Sequence, residues 1–221
     1  ELDGFQVPPP LPSAQEAEWR RETYVSSMTD ARSWAIRKLR DFPDSFAFTM
    51  VAAHFCVAAG TYKHAVPEYI RAHQQSPCDP LAALCLATSY LSLAMSRTVL
   101  YRHDMILKAF SLLQWYRRLR AGDLMNVLPG KSMIDELLHA AEAAYNFGRA
   151  FHQLSIDNLA QNSYEQSLQY MEQAETLLQS SQTDEASHAR CDMATIKRCC
   201  TWNLVLLLKA HNGGARAAAL L

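Results

Sequence analysis

Histidine and cysteine side chains are the groups in this sequence best suited to catalysis or metal binding. His54 and Cys56 lie close together in the run HFC, but no two further ligands follow at a spacing typical of zinc sites. The adjacent Cys199 and Cys200 would point about 100° apart on a helix, so they would not share one environment. No C-x-x-C pair occurs, and dispersed cysteines in helix-like runs indicate reduced thiols. We therefore expect neither a metal nor another cofactor.

Catalytic sequence motifs are absent as well. The chain contains no H-E-x-x-H, G-x-S-x-G, P-loop or G-x-G-x-x-G sequence. His64 and Glu68 would share one helix face, and such a pair is most often a solvated interaction. The sequence therefore predicts a protein that is not an enzyme.

Two basic clusters, ARSWAIRKLR and WYRRLR, offer another kind of chemistry, because arginines beside aromatic rings can contact phosphates. The second cluster contains Arg117, Arg118 and Arg120. The formal net charge is only -1, so the chain as a whole has no electrostatic attraction for nucleic acid or an anionic membrane. We expect solvated basic faces, with contacts to nucleic acid or an acidic partner as the alternative for these three arginines.

Helices must position all of these side chains. Only 7 glycines occur, alternating β-branched patterns are absent, and hydrophobic residues make up 49% of the chain. No apolar run is long enough to span a membrane. Prolines and capping residues place the helices at roughly 14–25, 29–41, 45–59, 62–75, 81–95, 102–120, 133–154, 157–180, 184–211 and 215–221.

The stretch GTYKHAVPEYIRAHQQSP reveals how these helices are organised. It places Gly60 at a turn, Ala65, Tyr69 and Ala72 at packing positions and Pro77 at a helix end. Residues of similar type recur 34 positions apart, as Pro77 does after a proline at 43. This period is that of the tetratricopeptide repeat, in which small residues let two antiparallel helices approach and an aromatic ring fills the gap beside them.

A second unit repeats the pattern around Gly148. Ala160, Tyr164 and Ser167 follow it by 12, 16 and 19 residues, as the repeat requires. Weaker units begin at Leu81 and in the run TWNLVLLLKAHNGGARAAALL, and the spacing between units is irregular. We therefore predict an all-α superhelical solenoid of antiparallel tetratricopeptide-repeat helix pairs, with some helices lengthened.

The predicted organisation has four parts. Residues 1–13 form an extended lead-in, residues 14–120 a first block of helix pairs, residues 121–132 a loop, and residues 133–221 a second block. The last apolar helix is expected to be truncated, because a solenoid end needs a polar cap.

Four segments make the resemblance more specific. YNFGRAFHQLSIDNLAQNSYEQSL, TYKHAVPEYIRAHQQSPCDPLAALCLATSYLSLAMSR, the long second helix in RHDMILKAFSLLQWYRRLR, and the closing WNLVLLLKAHNGGARAAALL together resemble the C-terminal repeat array of the tetratricopeptide-repeat subunit of transcription factor IIIC. The order of the segments is also the same as in that family. The resemblance covers roughly residues 44–221, and Ser155 stands where the family has a turn glycine.

The resemblance implies a nuclear, non-catalytic scaffold. Such a subunit holds other subunits of transcription factor IIIC, and helps to recruit the next RNA polymerase III initiation factor to genes of the transfer RNA type. DNA contact would be indirect, through partners. Two alternatives stay open: a generic repeat adaptor of another nuclear or cytosolic complex, and a helical repeat that itself contacts nucleic acid.

The repeat phase predicts which side chains would line a concave partner-binding face of helix A residues. This lining is mixed, and lacks the repeated Lys, Asn and Arg of a carboxylate-clamping repeat domain. Packing is the competing interpretation, above all for the histidine at 54 and the tryptophan at 202. The predicted residues are Met50, His54, Leu84, Thr88, Leu91, Tyr145, Arg149, His152, Trp202 and Lys209.

Overall fold

The structure, a computed structural model, describes residues 14–96, 99–121, 133–179 and 185–210. These residues form helices and turns without any strand, and the helices pack as consecutive pairs. The all-α class with tetratricopeptide-type helix pairs is thus confirmed. In chain order the helices are α1 (Ala14–Asp41), α2 (Phe46–Ala58), α3 (Tyr62–Gln75), α4 (Pro80–Ala94), α5 (Arg102–Ala121), α6 (Met133–Gln153), α7 (Asp157–Gln179) and α8 (Glu185–Ala210).

The largest difference from the predicted helices lies at the beginning of the chain. The helices predicted at 14–25 and 29–41 are one continuous helix, α1. The interval between them holds neither glycine nor proline, so no residue interrupts the backbone hydrogen bonds. The lead-in 1–13 and the helix predicted at 215–221 lie outside the described residues.

The chain divides into two compact units, 1–68 and 69–221, with the boundary inside α3. The predicted blocks 14–120 and 133–221, separated by a loop at 121–132, stay a prediction. That loop, apart from Ala121 at the end of α5, lies outside the described residues, and the helices on its two sides, α5 and α6, pack against each other.

In the first unit an aromatic cluster joins α1 and α2. The ring of Phe48 meets Trp34 edge-on with centroids 5.9 Å apart, and stacks on Phe42 at 6.0 Å. Ser45 caps α2 by accepting a hydrogen bond from the backbone N–H of Phe48. The cap and the rings together fix where the second helix begins.

Gly60 makes the predicted turn between α2 and α3. Its φ of 69° lies in the left-handed region that glycine adopts without a steric penalty. The backbone N–H of Thr61 then reaches back to the carbonyl of Cys56 at 2.8 Å, which satisfies one of the last carbonyls of α2. The packing positions predicted after this turn, Ala65, Tyr69 and Ala72, are all buried.

In the second unit α6 and α7 form the best-defined helix pair. Tyr164 of α7 lies flat against Gly148 of α6, where a Cβ atom would stand only 2.6 Å from two of its ring carbons. The hydroxyl of Ser167 donates a 2.8 Å hydrogen bond to the carbonyl of Ala141 on α6. Ala160 is fully buried beside Tyr164. The small and large residues predicted from spacing therefore meet at the helix interface.

A buried polar network joins α5 to α6. Tyr116 donates a 2.7 Å hydrogen bond to Glu142, and Arg120 forms an ion pair with the same carboxylate. Asn146 donates to the Tyr116 hydroxyl at 3.3 Å. Burial raises the pKa of Tyr116, and the charge of Glu142 raises it further, so the phenol stays protonated and keeps donating.

Helix α8 closes the described part of the second unit. Cys200, Leu204 and Leu207 pack against Ala160 and Tyr164. Helix α6 contacts α4 on one side and α8 on the other, so these alternate helices lie side by side. No helix among the described residues is both long and apolar enough to cross a membrane.

Candidate partner-binding site

A cavity of about 300 Å³ lies on the face shared by α4, α6 and α8. We name it the A-helix pocket, because each of the three helices occupies the helix A position of a repeat. Its lining mixes polar and apolar side chains. Its polar side chains include Thr88, Ser92, Asn146, Arg149, His152 and Asn203.

Arg149 provides the positive charge of the pocket. The side chain is exposed, and its guanidinium carbon lies 5.9 Å from the centre of the Tyr145 ring, within the range of a cation–π contact. Burial raises the pKa of Tyr145, so the ring stays neutral beneath the cation. A partly held guanidinium with free solvent access is well placed to bind a carboxylate or a carbonyl oxygen.

His152 and Tyr164 form the opposite part of the lining. The Tyr164 hydroxyl lies 3.4 Å from Nδ1 of His152, and the two rings meet nearly at right angles with centroids 6.2 Å apart. Tyr164 is fully buried, and its burial raises the pKa of its phenol. This pair therefore adds a hydrogen-bonding wall to the pocket.

Four of the residues predicted for the concave face line this one pocket. Thr88 and Leu91 reach it from α4, and Arg149 and His152 reach it from α6. Tyr145 lies beside it through its contact with Arg149. The structure thus brings together side chains that are more than fifty residues apart in sequence.

The other predicted residues lie elsewhere. Met50 is buried in the first unit, and Leu84 packs against the cluster of buried residues that joins α4, α5 and α6. His54 is exposed on α2, and desolvation lowers its pKa. Trp202 is 59% exposed on α8, and Lys209 is exposed near the end of that helix. These residues stay predicted contacts without a shared cavity, and the burial of Met50 favours packing.

Sequence reasoning missed several pocket residues. Asn146 and Gln153 lie on the same face of α6 as Arg149, at spacings of three and four residues. Asn203 lines the pocket, whereas its neighbour Trp202 was predicted. The repeat phase was therefore displaced by one residue in places, and one residue corresponds to about 100° of rotation on a helix. A run of polar residues at helical spacing was the signal that could have corrected it.

The three arginines of α5 are divided between two environments. Arg120 is held by Glu142, with both side chains 28% exposed. Arg117 and Arg118 are exposed and line a different cavity, on the α7 side of α5. The three predicted contacts therefore do not form one continuous basic patch.

The described residues carry no arrangement with the geometry of a metal site. Within 14–96, 99–121, 133–179 and 185–210, no three histidine, cysteine, aspartate or glutamate side chains converge. Cys56, Cys78, Cys85, Cys199 and Cys200 are free thiols. Burial raises the pKa of Cys200 to about 11, which keeps this thiol protonated and unreactive at neutral pH.

The chain is similar to two transcription factor subunits. It is 28% identical over 136 residues to general transcription factor 3C polypeptide 3 of Homo sapiens, which is 62% of this chain and 13% of that protein. It is 28% identical over 129 residues to transcription factor tau subunit sfc4 of Schizosaccharomyces pombe, which is 58% of this chain and 12% of that protein. The chain thus spans a small part of either relative. No protein-family model matches it. Both relatives are subunits of transcription factor IIIC, so the resemblance predicted from the sequence is confirmed.

Proposed function

We propose that this chain acts as a non-catalytic scaffold within transcription factor IIIC, the general factor of RNA polymerase III. The similarity to two subunits of that factor supports the assignment to the complex. The packing of helix pairs supports the scaffold role, because such pairs build extended surfaces that hold other proteins. In this proposal the protein works in the nucleus, its partners are other subunits and the next initiation factor, and DNA contact is left to those partners.

The observation that carries the scaffold role is the A-helix pocket. Thr88 comes from α4, Arg149 from α6 and Asn203 from α8, so an occupant would contact three helices at once. A volume of about 300 Å³ is at the lower end of the range for ligand clefts, which is roughly 300–1,000 Å³. A pocket of that size suits one or two side chains of a partner segment. These side chains would anchor the segment, and the rest of it would run over the surface of this protein.

The chemistry of the pocket indicates which groups it would hold. Arg149 donates to an oxygen, and Asn203 has an amide that both donates and accepts. The Thr88 hydroxyl donates its proton to the carbonyl of Cys85 and keeps lone pairs that can accept. An occupant with one carboxylate or with exposed backbone carbonyls satisfies this set. A catalytic role would need an accessible nucleophile beside a base, and the Tyr164 hydroxyl beside His152 belongs to a fully buried side chain.

Purification of the tagged protein from nuclear extract tests the proposal. We expect the other subunits of transcription factor IIIC to be recovered with it. The substitution Arg149→Glu replaces the pocket cation with an anion, and we expect it to lower recovery of at least one subunit by roughly tenfold, the effect of losing one charge-assisted contact. The matched control is Arg198→Glu, at an exposed position of α8 away from the pocket.

Two results would contradict the proposal. Recovery of a different complex, without any subunit of transcription factor IIIC, would favour the generic adaptor. Equal recovery with Arg149→Glu and Arg198→Glu would remove the pocket from the partner interface. Circular dichroism of both variants verifies that each keeps the helical fold.

A further inference from the structure

A second cavity lies between α5 and α7, with α6 as its floor. Its volume is about 780 Å³, more than twice that of the A-helix pocket. We name it the α5–α7 groove. The floor is formed by α6 and is mainly apolar, with Ala140, Ala143, Ala144 and Phe151 among its residues and with Glu136 and His139 as its polar members.

The α5–α7 groove and the A-helix pocket use opposite faces of α6. Ala140, Ala144 and Phe151 are spaced so that they fall along one side of this helix. Arg149 lies nine residues after Ala140, which at about 100° per residue is half a turn away. An occupant of the groove therefore leaves the pocket accessible, and the two sites are able to hold different segments at the same time.

The walls of the groove differ in charge. Arg117 and Arg118 form the α5 wall, and the guanidinium carbon of Arg117 lies 5.7 Å from the centre of the Phe147 ring. Gln166 and Tyr170 form the α7 wall and are joined by a 3.1 Å hydrogen bond, so this wall is neutral. The groove thus places two cations along one edge of an apolar floor.

We propose that the α5–α7 groove binds a peptide segment of another subunit, in which acidic residues alternate with apolar ones. This inference rests on the proposed scaffold function and adds a second docking surface with a defined partner chemistry. The apolar side chains of the segment cover the alanine floor, and a carboxylate pairs with Arg117 or Arg118. The guanidinium of Arg117 is already held over an aromatic ring, so less side-chain freedom is lost when the carboxylate binds.

Nucleic acid fits the groove less well. Arg120 is engaged with Glu142, so only two of the three arginines face the cavity, and two phosphate contacts give weak binding at physiological salt. Bases stack on exposed aromatic faces, but the Phe147 ring is only 9% exposed and the rest of the floor is largely alanine.

Site-specific photocrosslinking within the assembled factor tests the inference. A benzophenone amino acid is placed at Gln114 on the α5 wall of the groove, at Gln153 in the A-helix pocket, or at Gln173 outside both cavities. All three glutamines are exposed on helices, so the probes are matched. The crosslinked material is digested and identified by mass spectrometry. We expect Gln114 to capture a segment of another subunit in which Asp or Glu alternates with apolar residues, and Gln173 to capture no such segment.

Charge reversal provides the second arm. The double substitution Arg117→Glu and Arg118→Glu is expected to lower the Gln114 crosslink to the acidic segment by tenfold or more, and to leave the Gln153 crosslink unchanged. Both arginines are exposed, so the variant is expected to keep its fold.

The possible outcomes separate this inference from the proposed function. Capture of nucleic acid, of a basic segment, or of this chain's own residues 122–132 at Gln114 would overturn the peptide groove. So would an acidic crosslink that survives the charge reversal, or the absence of any crosslink at Gln114. If Gln153 still captures a subunit of transcription factor IIIC in those cases, the scaffold function stands and only the second surface is lost.

Discussion

Replacing Gly148 with alanine tests the helix contact on which the repeat architecture depends. The added methyl carbon would lie 2.6 Å from Cδ1 and from Cε1 of Tyr164. Carbon atoms normally pack at about 3.5–4.0 Å, so the methyl group is roughly 1 Å too close to both ring atoms. Tyr164 is fully buried, so the side chains packed around it oppose a movement of its ring.

Two effects of opposite sign decide the magnitude. Alanine favours a helix interior over glycine by about 1 kcal/mol. Overpacking a buried contact costs typically 1–3 kcal/mol, and the severity of this overlap places it at the upper end of that range. We therefore expect Gly148→Ala to lower the free energy of unfolding by about 1–2 kcal/mol, although propensity alone predicts stabilisation.

Urea denaturation followed by circular dichroism at 222 nm measures the change. The variant Gly148→Ala is compared with Tyr164→Leu and with the double variant. Because leucine removes the ring atoms that clash, we expect the double variant to be at least about 1 kcal/mol more stable than the sum of the single effects predicts. The reasoning is refuted if Gly148→Ala is as stable as the parent chain, or if the two substitutions are additive.

Two further predictions concern the polar network and the thiols. Glu142→Gln leaves Arg120 of α5 without a counter-charge in a partly buried position. We therefore expect the free energy of unfolding to fall by about 1–2 kcal/mol in the same urea assay. The control Glu175→Gln breaks the more exposed ion pair with Lys197 of α8 and should cost less than about 1 kcal/mol. Equal losses of stability in the two variants would contradict the importance of burial. Iodoacetamide should modify exposed Cys78 long before buried Cys200. Burial raises the pKa of Cys200 from 9.0 to about 11, which lowers the thiolate fraction of Cys200 about 100-fold. Mass spectrometry at early time points measures the order of modification, and earlier modification of Cys200 would contradict the prediction.

The repeat spacing predicted the helix-pair contacts because these depend on residue size at fixed positions. Gly148 and Tyr164 meet as the 16-residue interval requires, and Gly60 adopts the left-handed conformation expected at a turn. At the α6–α7 turn Ser155 takes a φ of 57° in place of glycine, so the turn conformation survives without the residue that favours it. Local geometry of this kind is determined by the types of a few neighbouring residues.

The site was harder to predict because it depends on rotation between helices. A displacement of the repeat phase by one residue turns a side chain by about 100° around the helix axis. For this reason Trp202 was predicted to line the site, whereas Asn203 lines it in the structure. The sequence prediction divided α1 into two helices, although the interval at 26–28 contains no residue that breaks the backbone hydrogen-bond pattern. Arg120 forms an ion pair with Glu142, 22 residues away in sequence. This pairing was not predicted, because no pattern in the sequence connects the two residues.

Helix α6 explains why sequence periodicity gave only one of the two surfaces. A concave face was expected from the helix A positions, and no prediction concerned the apolar residues on the other side of α6. Helices α5 and α7 do flank α6, but small side chains at Ala140, Ala143 and Ala144 leave the volume between them unfilled. Alanine stripes usually bring helices together, and the same residue type here forms the floor of a groove.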